Sequence, residues 1–95
     1  MPLTILAQIT AAPGKEDLVR SELEKLVAPT VVEDGCVTYE LHADDADPAV
    51  FVFFEVWKTR EHWLAHMEMP HLTAFKAAVA GALLPGVRRE MTRIA

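Results

Sequence analysis

Eight consecutive residues, Val50-Phe51-Val52-Phe53-Phe54-Glu55-Val56-Trp57, constrain this chain more than any other stretch. A strand sends alternate side chains to opposite faces. One face therefore receives Val50, Val52, Phe54 and Val56, and the other Phe51, Phe53, Glu55 and Trp57. Both sets are apolar apart from a single carboxylate, whereas a sheet wet on one side would show polar residues there. Each side of this strand needs an apolar cover. In so short a chain its own helices supply one, and a second copy of the chain is the simplest source of the other.

The 95 residues are expected to form a single domain, 1–95, close to the size at which one core becomes stable without staples. Apolar residues make up 52% of the chain, enough for a folded core and an argument for an oligomer. A net charge of -5, with Arg88-Arg89 the only adjacent basic pair, provides no footprint for a polyanion, so nucleic acid is excluded as an expected partner. The lone Cys36 cannot form an internal disulfide and no secretory leader precedes the pattern; a reducing, cytoplasmic setting is the expectation. No apolar run reaches membrane-spanning length, and no membrane partner is expected.

Leu3 to Thr10 alternates as a first strand, stopped by Ala12-Pro13-Gly14. From Lys15 the period becomes helical, with Leu18, Val19, Leu23, Leu26 and Val27 on one stripe and Pro29 marking the expected end. Glu33-Asp34-Gly35 turns the chain into a second strand, Cys36 to His42, in which Val37, Tyr39 and Leu41 oppose Cys36, Thr38, Glu40 and His42. The acidic turn around Asp44, Asp45, Asp47 and Pro48 returns it as a hairpin into the central run. Thr59 is a candidate N-cap for a helix bearing Trp63, Leu64 and Met67. Met69-Pro70-His71 breaks that helix, and Leu72, Phe75, Val79 and Leu83 resume helical spacing. Leu84-Pro85-Gly86 closes the helical region, and Val87 to Ile94 is the expected last strand. The order β-α-β-β-α-β predicts an α+β, ferredoxin-like fold: a four-stranded antiparallel sheet with helices on one face, paired face to face as a dimeric α+β barrel.

Several segments occur in order that together carry a resemblance: Ala12-Pro13-Gly14-Lys15, Pro29-Thr30, Glu33-Asp34-Gly35-Cys36 with Tyr39, Asp47-Pro48, Glu55-Val56-Trp57, Leu64-Ala65-His66 and Pro70-His71. From the first strand to about Gly81, the chain resembles the antibiotic-biosynthesis monooxygenase (ABM) family, especially its small stand-alone members of quinol monooxygenase type. The resemblance implies a ferredoxin-like homodimer. It also implies oxidation of quinols or polycyclic phenols by dioxygen with no metal, haem or flavin, so no cofactor is expected. A haem-degrading branch shares the fold but is marked by an asparagine near the end of the first strand and an iron-ligating histidine in the later helix. This chain has no asparagine at all, and Phe75 to Val79 contains no histidine.

A phenol or hydroquinone becomes able to give an electron to oxygen once it is deprotonated, so a base in a shielded aromatic pocket suffices. His66 is the candidate base, since imidazole titrates near neutrality; a partly buried histidine that merely holds its helix in place is the other reading. Glu55, set among aromatic residues, must be paired, hydrogen-bonded or protonated if buried, with a histidine or Arg89 as candidate partners; a structural pairing and an assisting catalytic role both stand. Trp57, Phe53 and Phe75 are candidates for an aromatic enclosure, with Met67, Tyr39 and His71 as further substrate contacts. Trp57 can equally be core, Tyr39 can pack on the first helix, and His71 can cap its helix. His62 and His66 have the i,i+4 spacing of a metal pair, but without a third ligand in pattern no metal is expected. Cys36 reads as a small buried hydrophobe.

The leading expectation is a cofactor-independent monooxygenase acting on a small quinol or phenol. A non-catalytic dimer that binds a small aromatic metabolite is the alternative.

Overall fold

The computed structural model describes residues 1–95 and has the element order β1 (Leu3–Ala11), α1 (Glu16–Val31), β2 (Cys36–Ala43), β3 (Val50–Trp57), α2 (Arg60–Met67), α3 (Pro70–Ala78) and β4 (Leu83–Met91). The strands form one antiparallel sheet in the order β2-β3-β1-β4. This is the ferredoxin-like arrangement, with the second helical region divided in two. β1 and β3 lie at the centre, which is why their sequences are the most apolar.

The inner face of the sheet is covered by helices. Ile5, Phe51, Phe53, Glu55 and Trp57 are buried there, joined by Val19, Leu23 and Leu26 of α1, Trp63 of α2 and Leu72 of α3. Residues directly opposite in an antiparallel pair share a face. The outer face therefore collects Thr4, Leu6 and Gln8 of β1, Val52, Phe54 and Val56 of β3, and Val87, Arg89 and Met91 of β4. Phe54 is 37% and Val87 47% exposed, so this apolar face is uncovered in the single chain.

Four local features depart from simple periodicity. α1 buries Val19, Leu23, Leu26 and Thr30, with Val27 half-buried, while Leu18 lies at the edge of the stripe and is exposed. The helix also passes through Pro29 to Val31. A proline in the last turn removes only one backbone donor, and the tertiary contact of Thr30 holds that turn. In β2, Cys36 pairs with Trp57 but Thr38 with Val56, so an extra residue sits at Val37. Val37 is 58% exposed and lies on the outer face beside Thr38 and Phe54, not with Tyr39 and Leu41 inside.

The last departure concerns β4. Leu83 belongs to this strand and not to a helix, since α3 ends at Ala78 and Gly81, at φ +76°, turns the chain back. Leu84-Pro85-Gly86 lies inside β4 instead of preceding it. Thr10 pairs with Leu84 and Gln8 with Val87, so Pro85 and Gly86 together oppose Ile9 as a bulge. A proline without a ladder donor is accommodated at such an edge position. Gly86 must lack a side chain, because a Cβ would overlap the Gln8 carbonyl oxygen.

Other expectations correspond to the structure directly. The Thr59 hydroxyl accepts from His62 N at 3.2 Å and caps α2. Asp44 Oδ1 accepts from Ala46 N at 2.7 Å and from Asp47 N at 3.1 Å, forming the turn between β2 and β3. Met69 ends the connection between α2 and α3, and Pro70 occupies the first turn of α3. No helix is long and apolar enough to cross a membrane.

Candidate active site

The site gathers where the end of α1, the turn after it, α2 and the start of α3 meet the inner face of β3. His66 lies in the last turn of α2 and is 2% exposed. Its ring packs against Trp57 at 4.7 Å between centroids, the planes tilted by 34°, and meets Tyr39 edge-on at 5.5 Å. Its Nδ1 is 2.8 Å from Glu33 Oε2, in the turn following α1. The same oxygen is 2.7 Å from His71 Nε2, near the N-terminus of α3. A carboxylate only accepts, so His66 donates through Nδ1–H and His71 through Nε2–H. These bonds set both tautomers, and His66 keeps Nε2 as its acceptor nitrogen. Thr30 Oγ1, fully buried in α1, lies 3.1 Å from His71 Nε2.

A second polar pair lies next to the first. Trp57 Nε1–H donates to Glu55 Oε1 at 2.9 Å, both residues being buried. Burial pushes the Glu55 carboxyl up to about 7; the Trp57 bond pulls it down, the negative Glu33 adds to the rise and Arg88 opposes it. Burial, with Glu55 nearby, also lifts the Tyr39 phenol well above its ordinary range, so that it stays a neutral hydroxyl. Burial holds His66 below the usual imidazole range, against the pull of Glu33. The ring is thus neutral at pH 7 and able to accept a proton, while Glu33 stands ready to stabilise the imidazolium that would form.

His66, Trp57, Tyr39, Phe53 and His71 form one chain of ring contacts, with Glu55 attached through Trp57. Phe53 is buried 4.6 Å from Tyr39. Phe75 and Met67 are half-buried at the margin of the core and take no part in these ring contacts. His71 does not cap α3: Met69 holds the cap position, and the His71 side chain reaches back to Glu33 and Thr30. Arg89 faces the outer side opposite Leu6; the neighbouring Arg88 is the arginine on the Glu55 side, where its guanidinium lies 5.1 Å from the Trp63 ring. His62 turns away from His66, with Nδ1 2.7 Å from Thr59 Oγ1 and Nε2 3.4 Å from Asp34, so the i,i+4 pair does not converge.

Glu33 is the residue that sequence spacing does not reveal. It lies 33 and 38 positions from the two histidines it joins, and in the sequence it reads only as part of a turn. Its one available signal is its place in a turn that must end the first helix against the second helical region.

The cluster is closely packed. An open concavity of about 640 Å³ adjoins it between α1 and β2, lined by Val27, Leu41 and Phe51, with Arg20 and His42 at its polar side. Tyr39 is common to both, its ring forming part of that wall and touching His66.

Known proteins share this fold and part of this sequence. The antibiotic biosynthesis monooxygenase family matches residues 2–78. The chain is similar to PA3566 from Pseudomonas aeruginosa, whose crystal structure superposes with a TM-score of 0.95 at 35% identity, covering 99% of this chain and 95% of the other. Rv0793 from Mycobacterium tuberculosis gives a TM-score of 0.91 at 25% identity, covering 100% and 97%. In Escherichia coli K12, the protein named "Probable quinol monooxygenase YgiN" is 32% identical over 92 residues, spanning 86% of this chain and 88% of that one. With a family match over most of its length and relatives above 30% identity, this chain belongs to the antibiotic biosynthesis monooxygenase family.

Proposed function

We propose that the protein is a cofactor-independent monooxygenase that oxidises a small quinol or phenol with dioxygen. The observation that carries this reading is the Glu33–His66 bond of 2.8 Å beside the Trp57 ring: a neutral imidazole with its tautomer fixed, and a carboxylate in contact that offsets part of the cost of charging it. The name borne by the Escherichia coli relative points to the same substrate class. His66 Nε2 takes the hydroxyl proton of the substrate, Glu33 holds the ring, and His71 shares the carboxylate on the side nearer solvent. Tyr39, which walls the adjoining concavity, contacts the aromatic ring, Trp57 and Phe53 back it from the core, and Glu55 fixes the Trp57 indole. Phe75 and Met67 lie at the edge of the enclosure.

The electrons come from the substrate. The phenolate passes one electron to dioxygen, the resulting radical pair combines at carbon, and the peroxide loses water to leave a carbonyl. For a hydroquinone, one substrate molecule and one dioxygen give one hydroxybenzoquinone and one water. One oxygen atom is kept by the ring and the other leaves as water with two of the substrate's hydrogens, the substrate supplying all the electrons that reduce both oxygen atoms. Excluding water favours this course, because a solvated phenolate is less easily oxidised than one held among aromatic rings.

In the same reading a second copy of the chain covers the outer face of the sheet. A trough of about 1100 Å³ there, lined by Val37, Phe54, Val56, Met91 and Ile94, is the apolar surface that such a copy would fill. The molecule works as a homodimer, as a single folded domain in the cytoplasm.

The test is oxygen uptake with a panel of hydroquinones and naphthols, using wild type, His66→Ala and Glu33→Gln. Uptake by wild type that falls at least tenfold in His66→Ala supports the reading, and rates equal to buffer for all three proteins refute it. The near-complete burial of His66 favours one alternative, a dimer that binds a small aromatic metabolite without turning it over. That reading predicts thermal stabilisation by the ligand with no oxygen consumed.

A further inference from the structure

The Glu33 carboxyl is buried and shared by two imidazoles, yet it has no lysine or arginine partner; His66 and His71 make up its entire ion-pair environment. A buried anion with no permanent cation beside it leaves a negative potential that attracts a bound cation. The three donors come from three separate elements: Glu33 from the turn after α1, His66 from the end of α2 and His71 from the start of α3. Their donor atoms lie within 4.8 Å of one another. Two imidazole nitrogens and one carboxylate oxygen are a donor set suited to borderline divalent transition ions rather than to magnesium or calcium.

We propose that Glu33, His66 and His71 form a binding site for one divalent transition ion of the zinc class, which competes with the use of His66 as a base. Zinc bonds of about 2.0 to 2.2 Å set tetrahedral donors roughly 3.3 Å apart. The hydrogen-bonded separations of 2.7 and 2.8 Å therefore need to open by about half an ångström, with the two imidazole nitrogens, within 4.8 Å of one another, adjusting towards the same spacing. Each ring now directs an N–H at the shared oxygen, and the ion would enter among these three donor atoms. Binding moves those protons to His66 Nε2 and His71 Nδ1, with no change in the charge of either ring. The ion then turns a buried negative charge into a net single positive charge. Thr30 Oγ1, beside His71 Nε2, is the nearest further oxygen. Once His66 Nε2 carries a proton it cannot accept one from a phenol, so the loaded protein loses the proton transfer proposed above. The inference goes beyond that reading, and the metal site can be tested without it.

The experiment uses the full-length protein stripped with chelator and titrated with Zn2+ and with Co2+ as a visible-light reporter. We expect one ion per chain, Co2+ absorption of low-coordinate nitrogen and oxygen ligation, and shifts confined to the ring resonances of His66 and His71 in wild-type NMR spectra, His42 and His62 being unmoved. His71→Ala and Glu33→Gln should each weaken Zn2+ binding more than tenfold, while Asp45→Asn in the acidic turn leaves it unchanged. The wild-type spectra decide the matter even if a variant fails to fold. Absence of binding at 1 mM Zn2+ overturns the site, as does binding that shifts His42 or His62 instead or that is lost in Asp45→Asn. Oxygen uptake measured with chelator and with Zn2+ separates the two proposals: activity in chelator that saturating Zn2+ does not inhibit sinks the competition and spares the base, whereas stoichiometric binding without any uptake sinks the base and spares the metal site.

Discussion

Replacing Glu55 with glutamine should change how the stability of this protein depends on pH. The carboxyl is 5% exposed on the inner face of β3, and burial, as the largest influence, raises it from 4.5 to about 7. The folded state thus binds the Glu55 proton more tightly than the unfolded state, so its contribution to stability is complete below pH 4.5 and is lost as pH rises towards 7. At about 1.4 kcal/mol per unit, the loss between pH 5 and pH 8 comes to about 2 to 3 kcal/mol. Glutamine keeps the shape and an acceptor for Trp57 Nε1–H but does not titrate. His66, held low by burial, acts in the opposite direction and is common to both proteins, so it cancels in the difference. Urea unfolding at pH 5 and pH 8, at one protein concentration, should show the wild type losing about 2 to 3 kcal/mol relative to Glu55→Gln, a midpoint difference of roughly 1 to 2 M. Parallel pH profiles for the two proteins would refute the claim that Glu55 is protonated by burial.

The remaining expectations concern the turns, the indole and the outer face. Gly35→Ala and Gly14→Ala both place an alanine at positive φ, +81° and +82°, but only at Gly35 does the new Cβ overlap a neighbour, the His62 ring. Gly14→Ala should cost about 1 kcal/mol and Gly35→Ala clearly more, about 2 kcal/mol or above, as read by urea unfolding; equal costs would contradict the packing. Trp57→Phe removes the donor to Glu55 from a residue with no exposed surface and should destabilise by about 1.5 to 3 kcal/mol; a loss below about 0.5 kcal/mol in the same assay would show that the bond contributes little. Phe54→Lys on the outer face should convert a dimer into a monomer by light scattering during size exclusion, and an unchanged dimer would move the interface elsewhere.

Much of the architecture is readable because it rests on local periodicity. The doubly apolar run of β3, the N-cap at Thr59 and the break at Pro70 are properties of neighbouring residues, and the structure reproduces them. What cannot be read depends on distant partners. Leu83 continues the spacing of Leu72, Phe75 and Val79, and only pairing with Ala11 draws it into β4. Val37 alternates correctly in sequence and leaves the core because β2 gains a residue against β3. The candidate site follows the same division. His66, Trp57 and Glu55 lie on elements whose faces can be assigned, so their meeting is foreseeable. Glu33 and Thr30 enter the site from the first helix and its turn, and no local pattern links them to His71.

The two strands at the rims of the sheet, β2 and β4, each carry an inserted residue, at Val37 and at Pro85-Gly86. A rim broken in this way offers an incoming strand no even row of donors and acceptors to zip onto, so neither margin can grow into a continuous ribbon with its neighbours. Any self-association is thereby steered away from open-ended stacking of strands and towards contacts that close, such as one made through the flat of the sheet.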